Sequence, residues 1–224
     1  MSEGYEGYGG AAPDRAGQAE AFDAIGARYD EAFPHKEGQL AAVAALAKAL
    51  PPGSRVLDVG CGTGYPTARL LVDAGHTVVG VDLSRTMVGL ARAAVPEAEF
   101  HQRDLASLAA EGPAGLGQFD AVTCYFTLLM LPRAEIPHAL RTLRSLLRPG
   151  GLLSLSMVEA DLDDTAIPFL GHTIRVSGYL RDALRQVVSA AGLEITGEDS
   201  YAYAPAGPDT ADPEHQLFLN CRRA

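Results

Sequence analysis

The chain has 224 residues, 47% of them apolar and 21% charged, which suits one sizeable core and excludes global disorder. Its 18 Lys and Arg stand against 28 Asp and Glu, a net charge of −10 with no dense basic run, which argues against nucleic acid as a partner. Three widely separated cysteines, Cys61, Cys124 and Cys221, outline neither a disulfide framework nor a zinc site and suit a reducing compartment.

Residues 1–17 hold five glycines and hardly any aliphatic side chain, so a flexible tail is expected there, followed by a single domain over 18–224. The N-terminus has no positive n-region or apolar h-region, and no segment approaches a membrane span, so a cytoplasmic protein without a membrane partner is expected. Phe22, Ile25 and Tyr29 share one face of a short helix, and Leu40, Val43, Leu46, Ala47 and Leu50 continue the period in a second. These helices, within about 18–50, help to cover a site. Pro51-Pro52-Gly53 stops the second helix.

Strand and helix signals then alternate. Arg55 to Val59 is an apolar run that enters Gly60-Cys61-Gly62-Thr63-Gly64, and a helix with Leu70 and Leu71 follows. Thr77 to Val81 is β-branched and ends in Asp82, and Ser84 is placed to cap a helix that presents Met87, Leu90 and Ala91. Glu99 to Arg103 and Phe119 to Tyr125 read as strands. Ile136, Leu140, Leu143 and Leu147 line a helix closed by Pro149-Gly150-Gly151, and Leu152 to Val158 is another strand. A helix is expected from about Ser177 to Ala191, capped by Gly192, and then strands over 193–202 and 216–221. Alternating β and α implies a parallel sheet with helices on both faces, and the helix-free end implies a closing antiparallel hairpin.

In such a sheet ligands bind beyond the carboxyl ends of the strands. Three glycines at 60, 62 and 64 permit a sharp turn with main chain bare to a ligand, and Asp82 stands at the end of the next strand, where a carboxylate accepts from both ribose hydroxyls. An adenosine-type ligand follows. Gly64 is succeeded by Tyr65-Pro66-Thr67 rather than Gly-Lys-Ser/Thr, which eliminates a P-loop, and Tyr65 occupies the place of the third glycine of a dinucleotide fingerprint.

From about residue 20 to the end the sequence resembles the class I S-adenosylmethionine-dependent methyltransferases. The resemblance rests on Val56-Leu57-Asp58-Val59-Gly60-Cys61-Gly62-Thr63-Gly64, on Asp82, on Gln102-Arg103-Asp104-Leu105 and on Leu147-Arg148-Pro149-Gly150-Gly151-Leu152. It implies a Rossmann-like α/β fold with a seven-stranded, mostly parallel sheet whose last strand is antiparallel. By position, it implies that Asp58 and Gly60 face the methionine moiety and that Gly60, Cys61, Gly62 and Gly64 give the cofactor its backbone surface. Asp82 holds the ribose, Leu83 and Met87 sandwich adenine, Asp104 accepts from its amine, and Leu105 flanks the ring. Cys124 or Tyr125 borders the sulfonium, and Tyr29 closes over the cofactor.

Methyl transfer needs an in-line nucleophile and, for a hydroxyl acceptor, a base; His35, His172 and His215 are the candidates, against the bland reading of surface or hydrogen-bonded histidines. Asp58, likewise, reads alternatively as a structural partner of the turn, and Glu159 to Asp164 as a solvated acidic loop rather than a metal site. Cys124-Tyr125-Phe126-Thr127 stands where members acting on exocyclic amines carry Asn/Asp-Pro-Pro-Tyr/Phe. A small, largely apolar metabolite is therefore the expected acceptor, with a bacterial secondary-metabolism role. Two other readings use the same pocket: an S-adenosylmethionine-binding cyclase or scaffold without methyl transfer, and an NAD(P)-dependent oxidoreductase, against which Tyr65 and the helix-free end argue.

Overall fold

A computed structural model describes residues 15–112, 115–203 and 214–224. Of the expected tail, residues 1–14 lie outside the described residues, whereas its last positions, from Arg15, open helix α1 (Arg15–Ile25). Gly26, with φ +51°, ends α1, and Tyr29 stands on a separate short helix, α2 (Arg28–Ala32). The single face expected for Phe22, Ile25 and Tyr29 is thus broken by a left-handed residue suited to glycine. Helix α3 (Glu37–Ala49) buries Val43 and Leu46 and stops just before Pro51-Pro52.

The sheet follows: β1 (Arg55–Val59), α4 (Thr67–Asp73), β2 (Thr77–Asp82), α5 (Arg85–Ala94), β3 (Glu99–Gln102), β4 (Phe119–Tyr125), α6 (Ile136–Leu146) and β5 (Leu147–Val158). After an inserted hairpin come α7 (Arg181–Ala190), β8 (Leu193–Tyr203) and β9 (Glu214–Arg223). Strand order is β3-β2-β1-β4-β5-β9-β8, with β9 antiparallel to both neighbours and the other pairs parallel. This is the doubly wound sheet with a closing antiparallel hairpin that the alternation implies, with the seven strands and antiparallel last strand that the resemblance implies.

Period-two alternation sorts the core into two layers. Val56 and Val78 pack with Val43, Leu71 and Val88 of α3, α4 and α5. Leu57, Val59, Val79 and Val81 point to the other face, against Ile136, Leu140 and Leu143 of α6 and the layer of Leu184 and Val188 of α7. Burial on both sides explains why β1 and β2 read as continuous apolar runs. It also fixes where the strand ends point, which places Gly60 and Asp82 side by side.

The hairpin of β6 (Leu162–Phe169) and β7 (His172–Gly178) was not expected from the sequence. Residues 177–178, assigned above to a helix, belong to β7, and α7 starts only at Arg181. The acidic stretch is not a freely solvated loop. Asp164 pairs with Arg175 across the hairpin (2.7 Å), Asp161 takes Arg133 Nη2 (2.7 Å), Asp163 accepts from Arg133 N (2.9 Å), and Glu159 holds Arg181. Arg133 thereby anchors the hairpin to the segment after β4, its guanidinium also lying over the Tyr179 ring. Among the described residues no helix is long and apolar enough to cross a membrane.

Candidate active site

The turn after β1 is tied to the end of β2. Gly60 N and Cys61 N both donate to Val81 O (2.8 and 3.0 Å). Asp82 then spans the gap between turn and helix: its Oδ2 accepts from Gly62 N (2.9 Å) and its Oδ1 from Ser84 N (2.9 Å). Burial raises the Asp82 pKa above the ordinary carboxylate value, while the Ser84 and Gly62 amides work in the opposite direction. Ser84 caps α5, its Oγ accepting from Met87 N (3.1 Å).

The three glycines of the turn do different things. A Cβ at Gly60 would meet Thr127 Oγ1 at 1.9 Å, and Thr127 is fixed there by a hydroxyl whose one proton is shared between Val59 O (3.0 Å) and Tyr125 O (3.1 Å). A Cβ at Gly64 would press on Ala91 and Val95 at 3.3 Å, so this glycine admits α5. Gly62 alone, with φ +51° and nothing within 4 Å of a Cβ, leaves bare main chain beside Asp82. It provides the cradle that an adenosine-type ligand requires.

Beneath this floor lie groups that do not line the cavity. Asp58 accepts from Thr123 Oγ1 (2.7 Å), its Oδ2 is buried without a partner, and burial lifts its pKa to about 7. Cys124 is fully buried, its thiol pushed up to about 12 by burial. Of the residues expected at the cofactor, Asp58, Gly64 and Cys124 thus lie off the cavity lining: alternation turns Cys124 into the core and leaves Tyr125, its alternative beside the sulfonium, on the lining, and Gly64 faces α5.

Gly60, Cys61, Gly62, Asp82, Leu83 and Met87 are brought together on one wall of a cavity of about 660 Å3. Asp104, Leu105, Tyr125 and Tyr29 complete the set of residues expected at the cofactor that line it. The volume falls within the roughly 300–1,000 Å3 of small-molecule sites. Tyr125 turns its hydroxyl away, donating to Ser154 Oγ (2.8 Å), and the next residue, Phe126, adopts φ +53° and faces the cavity. A positive φ on an aromatic residue is a strained conformation of the kind that clusters at functional sites.

The roof combines the N-terminal helices expected to cover the site with a hairpin that the sequence did not reveal. Phe33 stacks on Phe169 of the hairpin (5.7 Å), Tyr29 packs beside both (5.1 and 6.5 Å), and Phe22 and Tyr203 extend the cluster (each 6.0 Å from a member). Ile174 and Val176 add the apolar face of β7. Gln18 clamps α1 over the cavity by donating to Met130 O and Arg175 O (3.0 Å each). Burial raises the Tyr29 hydroxyl's pKa above the usual phenol range, so it remains protonated.

Of the three histidines only His35 lines the cavity; its side chain is 64% exposed, with Nδ1 3.5 Å from Glu37 Oε1. His172 sits at the hairpin turn opposite Phe169, off the lining. His215 is exposed on β9, whose alternate residues Glu214 and Gln216 face the cavity instead. These two, with Lys36, are polar lining residues that the sequence did not single out.

Residues 33–198 match the family described as "Methyltransferase domain". A ubiquinone biosynthesis O-methyltransferase of Xanthomonas campestris is 40% identical over 113 residues, 48% of this chain and 44% of that protein. The methyltransferase GfsG of Streptomyces halstedii is 35% identical over 167 residues, 70% of this chain and 59% of that protein. The match thus spans about half of the length of these curated relatives. In fold, the chain is similar to the Burkholderia thailandensis 1,6-didemethyltoxoflavin-N1-methyltransferase with bound 1,6-didemethyltoxoflavin and S-adenosylhomocysteine: TM-score 0.71, 22% identity, 98% of this chain and 93% of that chain covered. With the fold, the bare turn and the adjoining acid in place, the chain belongs to the class I S-adenosylmethionine-dependent methyltransferases.

Proposed function

We propose that this protein transfers a methyl group from S-adenosylmethionine to an O, N or C nucleophile of a small, largely apolar molecule. The observation that carries the reading is a single cavity in which the Gly62–Asp82 floor adjoins an apolar, aromatic roof. When bound, S-adenosylmethionine supplies a methyl group already activated by the sulfonium, which an in-line nucleophile takes, leaving S-adenosylhomocysteine.

Each Asp82 oxygen already accepts one backbone N–H, which fixes the carboxylate and leaves a lone pair on each for a ribose hydroxyl. Leu83 and Met87 present apolar surface to adenine, and Asp104 accepts from its amine while capping the turn Leu105–Ser107 (Ala106 N, 2.8 Å). Tyr125 borders the reacting end. The roof of Phe22, Phe33 and Phe169 excludes water from the acceptor, and Glu214 and Gln216 (3.0 Å apart, Gln216 donating) offer it polar contacts. His35 serves as base where the acceptor loses a proton. The Ala-, Gly- and Arg-rich composition supports an origin in bacterial secondary metabolism.

Thermal-shift titration with S-adenosylmethionine, S-adenosylhomocysteine and NAD tests the cofactor. At a hundred times its dissociation constant a ligand stabilises by about 2.7 kcal/mol, a readily measured shift. Both sulfur nucleosides are expected to shift the transition; a shift with NAD alone would favour the oxidoreductase. Release of S-adenosylhomocysteine across an acceptor panel then separates methyl transfer from a scaffold or cyclase.

A further inference from the structure

Lys36, at the N-terminal boundary of α3, is a long charged side chain held inside the molecule: only 8% of it is exposed. Its ammonium pairs with Asp30 Oδ1, lies 3.4 Å from Tyr65 O, and stands 5.7 and 5.3 Å from the ring centres of Tyr29 and Tyr65. A buried lysine loses much hydration and side-chain freedom, and pairing with one carboxylate oxygen uses one of its three donors. The Asp30 contact instead aims the remaining donors.

The lining carries three carboxylates, Asp82, Asp104 and Glu214, but among the described lining residues only two strong cations, Lys36 and Arg103. Arg103 follows β3, donates its N–H to Asp82 O and precedes Asp104, which places it at the nucleoside end. Lys36 lies instead by Tyr65, the residue that follows Gly62-Thr63-Gly64. Lys36 and Gly62 line the same cavity, so a cofactor whose ribose Asp82 holds would have its methionyl chain in that cavity too. That chain ends in a carboxylate, the one anionic group of the cofactor, which needs a charge-assisted donor in a largely apolar cavity.

We infer that Lys36, oriented by Asp30 and the rings of Tyr29 and Tyr65, binds the α-carboxylate of the cofactor's methionyl group. The assignment rests on the cofactor reading above and names the group that selects a complete amino-acid tail over a truncated thioether nucleoside.

Calorimetric titration of the full chain with S-adenosylhomocysteine and with 5′-methylthioadenosine, which lacks the amino-acid tail, tests it. Lys36→Met is expected to weaken S-adenosylhomocysteine tenfold or more and to leave methylthioadenosine within twofold; Lys36→Arg is expected to recover most of the loss. The methylthioadenosine affinity reports in the same samples that the site is folded. Where Lys36→Met does not fold, the wild type carries the test with the methyl ester of S-adenosylhomocysteine, expected to bind at least tenfold more weakly than the acid. Equal loss of both nucleosides, no loss of either, or an ester as tight as the acid overturns the role of Lys36 alone. A wild type that binds neither nucleoside overturns the cofactor reading as well.

Discussion

Ser84 Oγ donates to Asp23 Oδ1, so the helix that roofs the cavity is bonded to the residue that caps α5 and whose amide holds Asp82. Thr86 N reaches the same Asp23 oxygen at 2.9 Å. One carboxylate on α1 therefore joins the roof to the Asp82 end of the floor.

Asp23→Ala removes both contacts. It is expected to lower stability by about 1–2 kcal/mol and to weaken S-adenosylhomocysteine several-fold, whereas Asp23→Asn, which keeps an acceptor oxygen, retains most of both. Thermal melts and titrations of the two variants check this; an unchanged nucleoside affinity in the alanine variant would show that α1 is not coupled to the site.

The three turn glycines should separate by mechanism. Gly62→Ala costs about 1 kcal/mol from its positive φ, and its methyl enters the cradle, so folding survives while nucleoside affinity falls at least tenfold. Gly60→Ala must displace Thr127 and is expected to lose stability first. Melting curves with and without ligand distinguish the two; similar behaviour of both variants would contradict the assignment.

Asp58 gives the folded state a pH signature. Folded, it keeps its proton up to about pH 7; unfolded, it releases it near 3.8. Between these values the folded state binds the extra proton, so stability falls as pH rises through the window, by a few kcal/mol in order of magnitude. Asp58→Asn, which still accepts from Thr123, should flatten that part of the profile. Parallel Tm-versus-pH curves for the two proteins would contradict a buried, proton-holding Asp58.

Phe169→Ala opens the roof without touching the floor. It is expected to raise the KM of an accepted substrate at least fivefold while S-adenosylhomocysteine affinity stays within twofold, since Phe169 meets Phe33 and Phe22 rather than the glycine turn. Steady-state kinetics and titration read the two effects separately.

The floor was legible because its causes are local. A double-sided apolar strand, a glycine needing positive φ and an acid at the next strand end are all written within 55–82, and the parallel sheet makes them neighbours. The hairpin part of the roof was not. Asp163 and Asp164 interrupt the alternation that marks a strand, and only pairing with Arg133, Ser177 and Arg175 makes them compatible with one. Gly26 breaks a face that helical spacing makes look continuous. His215 was singled out for its chemistry, but the register of β9 turns Glu214 and Gln216 inward instead. Lys36 carries no signal of its own, because its burial arises only when Asp30, Tyr29 and Tyr65 converge on it.

A crystal structure with S-adenosylhomocysteine tests the central claim most directly. Both ribose hydroxyls should lie within hydrogen-bond distance of Asp82 and the thioether chain should pass over Gly62. A nucleoside lodged elsewhere, or a cavity closed by its own side chains with Asp82 still bonded only to Gly62 and Ser84, would contradict it.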